Sequence, residues 1–125
     1  MLAWPWYAYE YGCAANAPRH PTIPCLVNNA SYHAAPAQDL LPNATSVGWN
    51  DTSGTPYFYY TPAWAAKGAV HRIDYEDARS LTLKNQWARR AGVAGVGMWH
   101  ADLIDYDNAS MVAEYWSPFK AFRGE

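Results

Sequence analysis

The hydrophobic pattern of the chain is clearest near its C-terminal end, where an apolar run is followed at once by polar residues. Val93 to Trp99 is apolar without alternation, which is typical of a strand buried on both faces in a parallel sheet. The segment before it, Asp77 to Ala91, has apolar residues broadly at helical spacing, with Asp77 in the N-cap position and Gly92 as its end. A helix followed by a buried strand is half of an α/β unit.

Three further parts of the chain have strand or helix character. Leu2 to Tyr9 predicts one strand that begins at the second residue. Tyr57 to Thr61 and Ala69 to Ile73 are rich in aromatic and β-branched residues and predict a hairpin. Ala109 to Phe122 predicts a last helix, interrupted by Pro118.

The stretch from Gly12 to Gly54 is rich in Pro, Ala and Asn and predicts irregular structure, with a short helical piece at Ala37 to Leu41. This stretch is too long for a simple connection between two elements. We therefore expect it to form, together with the hairpin that follows, an inserted subdomain at residues 12–74, within one domain that covers residues 1–125. Because the chain opens on a strand, we also expect it to be part of a longer protein.

Composition narrows the possible partners. The 125 residues are 50% hydrophobic, which is enough for a core. The net charge is −2, so no basic surface for nucleic acid is expected. No apolar segment is long enough to span a membrane, and the N-terminal residues lack the pattern of a signal peptide. Seven Trp and ten Tyr are many for this length. The faces of aromatic rings can stack on pyranose rings, although most of the Trp and Tyr residues of this chain must fill the core and strands.

Sequons and cysteines indicate a compartment. Four of the seven asparagines lie in Asn-x-Ser/Thr sequons, where about one is expected by chance: Asn29, Asn43, Asn50 and Asn108. This excess favours a glycosylated protein of the secretory or lysosomal route. Cys13 and Cys25 are the only pair available for a disulfide, worth about 3 kcal/mol. The alternative is two free thiols. A zinc site is not expected, because His20 is the only further zinc-ligating residue between the two cysteines, and three such ligands make an incomplete site.

Chemistry is concentrated directly after the predicted C-terminal strand. Trp99 is followed by His100, Asp102 and Asp105, which brings together an aromatic ring, an imidazole and two carboxylates. Ligands bind at this end of strands in parallel α/β sheets and barrels. The alternative is a core tryptophan with a solvated acidic loop and a structural histidine.

Three stretches carry a family resemblance. Gly95-Val96-Gly97-Met98-Trp99, followed by Asp102 and Asp105-Tyr106, resembles the last barrel strand of glycoside hydrolase family 18, the chitinase family. Tyr75-Glu76-Asp77 with Ser80, Lys84 and Trp87 resembles the segment ahead of that strand. Leu2 to Tyr11, with Pro5-Trp6-Tyr7, resembles the seventh barrel strand. The likeness is strongest to the chitobiase type of enzyme within this family.

The resemblance implies an α/β fold: the C-terminal part of a (β/α)8 TIM barrel, with its seventh and eighth strands and an inserted small α+β subdomain. Trp99 is then the floor of the subsite that holds the cleaved sugar. Trp6 and Tyr7 end the seventh strand, and because they alternate faces only one should point into the barrel. Asp102 either bonds the sugar or fixes its loop. The implied partners are an N-acetylglucosamine oligosaccharide and the N-terminal part of the barrel, with no cofactor and no metal.

The catalytic signature of the family, Asp-x-x-Asp-x-Asp-x-Glu, is not completed here. Asp102, Asp105 and Asp107 reproduce its aspartates, but Ala109 occupies the position of the glutamate. We interpret this as coincidence and expect the chain to supply subsite walls without the catalytic acid. The implied function is cleavage of β-1,4 bonds between N-acetylglucosamine units of chitin oligosaccharides or of the N-glycan core, in a lysosomal or secreted protein. The alternative is a non-catalytic sugar-binding or structural protein of the same ancestry.

Overall fold

The computed structural model describes residues 1–13, 25, 30–33, 37–65 and 69–125. Within these ranges the strands are β1 (Leu2–Pro5), β2 (Ala8–Cys13), β3 (Ala30–His33), β4 (Ser46–Asn50), β5 (Thr55–Tyr60), β6 (Val70–Asp74) and β7 (Val96–Trp99). The α-helices are α1 (Ala78–Arg90), α2 (Ala109–Trp116) and α3 (Lys120–Arg123). Short 3-10 turns cover Ala37–Asp39, Leu41–Asn43, Ala101–Leu103 and Ser117–Phe119.

The first sheet is the parallel pair of β1 and β7. Its register aligns Leu2 with Val96 and Pro5 with Trp99, and α1 lies between the two strands in sequence. The expected helix and parallel strand are therefore confirmed. The strand is shorter than the predicted Val93 to Trp99, and its residues are only partly buried. This difference arises because, in the part of the chain that is described, β7 pairs with β1 alone.

The second sheet has five antiparallel strands in the order β3-β2-β6-β5-β4. The predicted hairpin is confirmed as β5 and β6, which align Tyr57 with Asp74 and Tyr60 with His71. The predicted irregular stretch contains two strands, β3 and β4, that sequence reasoning missed. Both are short and take their strand character from their neighbours, since β4 pairs along its length with β5. The helical piece is present as two 3-10 turns.

The prediction of one strand from Leu2 to Tyr9 is wrong, because the chain changes sheets inside it. The Trp6 amide donates to the Trp99 carbonyl at 2.9 Å and closes the first sheet. From Ala8 onward the chain pairs with β3 and β6. Pro5, the last residue of β1, is the local signal for a break, but the apolar pattern continues past it through Trp6, Tyr7 and Ala8.

The first hydrophobic core lies between the parallel pair and the helices. It consists of Trp6, Leu81, Ile104, Met111 and Tyr115. The fully buried side-chain amide of Asn85 is hydrogen-bonded at the edge of this core. Asn85 accepts a hydrogen bond from Trp4 Nε1 at 2.8 Å and donates from Nδ2 to the Pro118 carbonyl at 3.0 Å. One side chain thus connects β1, α1 and the turn before α3, and a buried amide with both ends paired costs little.

The two faces of the second sheet are packed differently. One face forms a core of Ala8, Phe58, Tyr60 and Ile73 beneath the 3-10 turns. The other carries Tyr57, Tyr59 and the disulfide between Cys13 and Cys25, which confirms the predicted bridge. On this face the Arg72 guanidinium lies 4.0 Å from the centre of the Tyr57 ring and forms an ion pair with Asp74 at 2.6 Å.

Helix α1 begins at the predicted cap. The Asp77 side chain accepts from the Ser80 amide at 2.7 Å, and the Ser80 hydroxyl accepts from the Asp77 amide at 2.9 Å, which together form a capping box. Gly92 follows the helix with a φ of 69°, a conformation that glycine adopts without strain. In the described ranges no helix is of the length and hydropathy that crossing a bilayer requires.

Replacing Asp77 with Ala removes the acceptor of the Ser80 amide. We expect the free energy of unfolding to fall by about 1 kcal/mol, measured by urea denaturation. The exposed Asp39, in a 3-10 turn, provides the control. Asp39→Ala should change stability by less than about 0.5 kcal/mol. Equal losses for the two variants would contradict the role of the cap.

Burial separates Trp6 from the other tryptophans and predicts a large difference in stability. Trp6 is 1% exposed, whereas Trp87, on α1, is 54% exposed. Trp6→Ala should lower the free energy of unfolding by about 3 to 5 kcal/mol, because it leaves a cavity in the first core. Trp87→Ala removes the same atoms from the surface and should cost less than about 1 kcal/mol. Chemical denaturation of both variants measures the difference, and a small loss for Trp6→Ala would show that the core is wrongly assigned.

Candidate functional site

The candidate site lies at the carboxyl end of the parallel pair, where β1 and β7 stop level with each other. Trp99 is the last residue of β7 and is aligned with Pro5. Its backbone is fixed because its carbonyl accepts from the Trp6 amide. Its side chain is nevertheless 64% exposed. A large indole held open at a strand end is available as a flat apolar surface for a ligand.

The loop after Trp99 is folded back on itself. The peptide between Trp99 and His100 is cis, and the two rings meet edge to face with centroids 5.6 Å apart. The His100 Nδ1 contacts the Asp102 carboxylate, and the side chain of Asp102 is 82% exposed. The Tyr106 hydroxyl donates to the Ala101 carbonyl at 2.7 Å. The loop therefore places a carboxylate and an imidazole beside the tryptophan, both reachable from solvent.

Trp6 and Tyr7, which follow β1, differ in burial. Trp6 lies in the first core, with Tyr115 and Trp116 edge-on to its ring at 5.3 and 5.1 Å. Its candidate role as a sugar contact does not fit this position, because the helices cover its ring. Tyr7 is partly exposed, with its ring 5.3 Å from that of Tyr9.

A small cavity of about 120 Å³ adjoins Tyr7, with Tyr9, Asp74, Tyr75 and Glu76 among its lining residues. Burial raises the pKa of the Glu76 carboxyl, and the nearby Lys84 ammonium opposes that effect. Glu76 accepts from the Ser80 hydroxyl at 2.6 Å and from the Lys84 ammonium. Burial and the Asp77 charge raise the pKa of Tyr75 to about 12, so this phenol stays neutral. The carboxylate of Glu76 thus supports α1.

A second cluster of polar side chains was not found from the sequence. The Glu10 carboxylate accepts from the Tyr60 hydroxyl at 2.5 Å and lies 2.6 Å from the His71 Nδ1. Burial and the Glu10 carboxylate raise the pKa of Tyr60, which keeps its hydroxyl protonated as a donor. The three residues come from β2, β5 and β6 and are far apart in the chain. Only the register of the second sheet brings them together, so no local motif could reveal them.

The predicted sequon asparagines occupy different settings. Asn43 is exposed at the end of a 3-10 turn. The Asn50 Oδ1 accepts from the Thr52 amide at 3.0 Å, and the Asn108 Oδ1 accepts from the Met111 amide at 3.1 Å as the cap of α2. Asn29 and His20 lie outside the described residues. Among the described residues, no three His, Cys, Asp or Glu side chains are grouped so that they could hold a metal ion.

No protein-family model matches the chain. The chain is 28% identical over 128 residues to di-N-acetylchitobiase of Rattus norvegicus, an alignment that covers 91% of this chain and 33% of the relative. It therefore spans about one third of the length of the curated relatives that it matches.

Solved structures agree on the fold. A glycoside hydrolase family 18 N-acetylglucosaminidase from Paenibacillus barengoltzii superposes with a TM-score of 0.65 at 16% identity, covering 96% of this chain and 32% of that protein. Human YKL-39, described as a pseudo-chitinase with retained chitooligosaccharide binding properties, superposes with a TM-score of 0.67 at 16% identity, covering 99% of this chain and 34% of that protein. The chain, with its mixed α/β structure, is thus a homologue of the di-N-acetylchitobiases, and its structural neighbours are family 18 chitinases and chitinase-like proteins with TIM-barrel folds.

Proposed function

We propose that the chain forms the C-terminal part, from the seventh strand to the last helix, of the (β/α)8 domain of a chitobiase-like glycoside hydrolase. In this proposal the whole protein cleaves β-1,4 bonds between N-acetylglucosamine units. The single observation that carries it is Trp99, 64% exposed at the carboxyl end of a parallel strand. The indole is the platform on which the sugar ring lies, and stacking with burial contributes about 1 to 3 kcal/mol.

Two neighbouring side chains complete the proposed subsite. Tyr7 follows the end of β1 and presents a partly exposed phenol. Asp102 presents its carboxylate beside Trp99 and is steadied by His100. Sugar hydroxyls and acetamide groups need such acceptors at the rim of an aromatic platform. Trp6 is left out of the subsite because it is buried.

The second sheet, which already begins at Ala8 in β2, acts as the inserted subdomain expected at residues 12–74 and forms a wall of the cleft. Its strand β2 begins three residues after the end of β1, and its strand β6 ends just before α1. The sheet is therefore attached at the carboxyl end of β1, beside Trp99. This attachment supports a wall position, because the βα loops of a barrel build the binding site at that end.

The remainder of the barrel would cover the open side of the first sheet. An apolar groove of about 800 Å³, with Val96, Met98, Val112, Trp116 and Phe119 among its lining residues, runs beside β7. In the described part of the chain, β7 has one paired edge only. A neighbouring barrel strand and helix would satisfy both the edge and the groove.

Catalysis in this proposal depends on residues of the barrel outside residues 1–125. The four glutamates of the chain are Glu10, Glu76, Glu114 and Glu125, and none follows the three aspartates in the family pattern. Glu10 and Glu76 are buried, and their carboxylates accept hydrogen bonds from the Tyr60 and Ser80 hydroxyls at 2.5 and 2.6 Å. The chain thus supplies binding walls, and the general acid comes from elsewhere in the barrel.

A non-catalytic sugar-binding protein is the second candidate. The structural neighbour YKL-39 is described as a pseudo-chitinase that retains chitooligosaccharide binding. The likeness in fold to that protein, together with the exposed Trp99, supports this candidate. Affinity without hydrolysis in the natural protein would favour this candidate over the enzyme.

A lysosomal or secreted location completes the proposal. Cys13 and Cys25 form a disulfide, and such bonds persist in oxidising compartments. Four sequons are consistent with the same route. Immunolocalisation of the natural protein tests it, and a cytosolic signal would contradict it.

Trp99→Ala tests the platform. We expect hydrolysis of N-acetylglucosamine oligomers by the natural protein, or affinity for them if it is non-catalytic, to fall at least about 10-fold, which corresponds to about 1.4 kcal/mol. Trp87→Ala is the matched control, because Trp87 is similarly exposed but lies on α1. Fluorogenic assays and calorimetric titration measure both effects. An unchanged Trp99→Ala protein with intact folding would show that Trp99 is not a sugar platform.

Residues 1–125 alone should not hydrolyse a fluorogenic N,N'-diacetylchitobiose substrate, because they lack the signature glutamate. The assay compares the purified chain with buffer. Turnover that disappears in Glu10→Gln or Glu76→Gln would overturn the assignment of these carboxylates to structure.

A further inference from the structure

A second cavity, of about 590 Å³, lies on the five-stranded sheet, and Trp99 does not line it. Glu10 and Tyr60 contribute to its lining from the sheet, and Asn43 and Trp64 contribute from the segments beside it. Its volume falls in the range of small-molecule pockets, about 300 to 1,000 Å³. Nothing in the proposed chitobiase-like function uses this cavity.

The Asn43 side of the cavity is held by backbone hydrogen bonds. The Asn43 amide donates to the Leu40 carbonyl at 2.9 Å within the 3-10 turn, and the Ala44 amide donates to the Leu41 carbonyl at 3.0 Å at its end. Two residues later, Thr45 is fastened to β5, because both its amide and its hydroxyl donate to the Tyr59 carbonyl, at 2.7 and 3.1 Å. The sequon Asn43-Ala44-Thr45 therefore has a fixed backbone, and its asparagine is exposed at the cavity.

Trp64 contributes an exposed aromatic ring to the lining. Trp64 lies in the turn after β5, which is closed by a bond from the Ala65 amide to the Pro62 carbonyl at 3.1 Å. Its indole stands perpendicular to the His71 ring, with centroids 5.2 Å apart. The residue is 76% exposed even so. The exposed indole offers a flat apolar surface at the cavity, and covering it would be favourable.

We propose that Asn43 carries an N-linked glycan whose first N-acetylglucosamine lies in this cavity against the face of Trp64. The glycan comes from a lipid-linked oligosaccharide pyrophosphate. A bond forms between Asn43 Nδ2 and the anomeric carbon, the bond from that carbon to the pyrophosphate breaks, the amide loses one proton and the pyrophosphate leaves with the electron pair.

The cavity suits this sugar chemically. Its lining combines the indole of Trp64 with polar side chains, among them Glu10 and Thr61, so it offers an apolar surface for the ring and hydrogen-bonding groups for hydroxyls. The other described sequons, at Asn50 and Asn108, do not line it. The inference is independent of whether Trp99 binds a substrate.

Glycopeptide mass spectrometry of the natural protein, combined with oxidative footprinting of tryptophan, tests the inference. Asn43 should be occupied. Oxidation of Trp64 should rise at least about 3-fold after enzymatic release of the glycan, while that of Trp87, on α1 and outside this cavity, should not change. An unmodified Asn43, or a Trp64 equally reactive before and after release, would overturn the proposal.

A matched pair of variants separates loss of this glycan from loss of glycosylation in general. Asn43→Asp and Asn50→Asp each remove one sequon by the same change, and aspartate at position 50 keeps the acceptor for the Thr52 amide. In protein from the natural cells, Asn43→Asp should raise Trp64 oxidation at least about 3-fold, and Asn50→Asp should leave it unchanged. Equal Trp64 oxidation in the two variants would contradict contact between this glycan and Trp64.

Discussion

The parallel pairing of β1 with β7 is the constraint on which the rest of the structure depends. It joins residues more than ninety positions apart in register, from Leu2 with Val96 to Pro5 with Trp99. Because both strands run in the same direction, their carboxyl ends meet at one edge, and the residues that follow each strand become neighbours. The buried Asn85 supports this arrangement by bonding Trp4 on one strand and the Pro118 carbonyl beyond the other. Trp99 is placed by this pairing and is left open by it.

The second consequence follows from the change of sheet after Pro5. Trp6 is buried against the helices, and Tyr7 remains partly exposed. From Ala8 the chain belongs to the second sheet. The proposed wall of the cleft therefore follows β1 closely in the chain, because β2 begins three residues after Pro5. A disulfide between Cys13 and Cys25 closes the far end of β2. Stability of the core and shape of the proposed cleft are set by the same few residues.

Local signals in the sequence were sufficient for the features that depend on neighbouring residues. The cap at Asp77, the stop at Gly92 and the β5–β6 hairpin each rest on chemistry within a few positions. The resemblance that Gly95 to Trp99 help to carry is confirmed by the di-N-acetylchitobiase homologues and the chitinase-like structural neighbours. Features that depend on distant pairing were missed. Nothing between Pro5 and Ala8 marks a change of sheet, and the short strands β3 and β4 take their form from β2 and β5. Glu10, Tyr60 and His71 meet only through the register of three strands.

A crystal structure of the natural protein bound to an N-acetylglucosamine oligosaccharide tests the central claim most directly. The account predicts one sugar ring lying flat on the Trp99 indole at the carboxyl end of β7, with the Asp102 carboxylate and the Tyr7 phenol within hydrogen-bond distance of its polar groups. An oligosaccharide bound elsewhere, with the Trp99 ring covered by protein side chains, would contradict it.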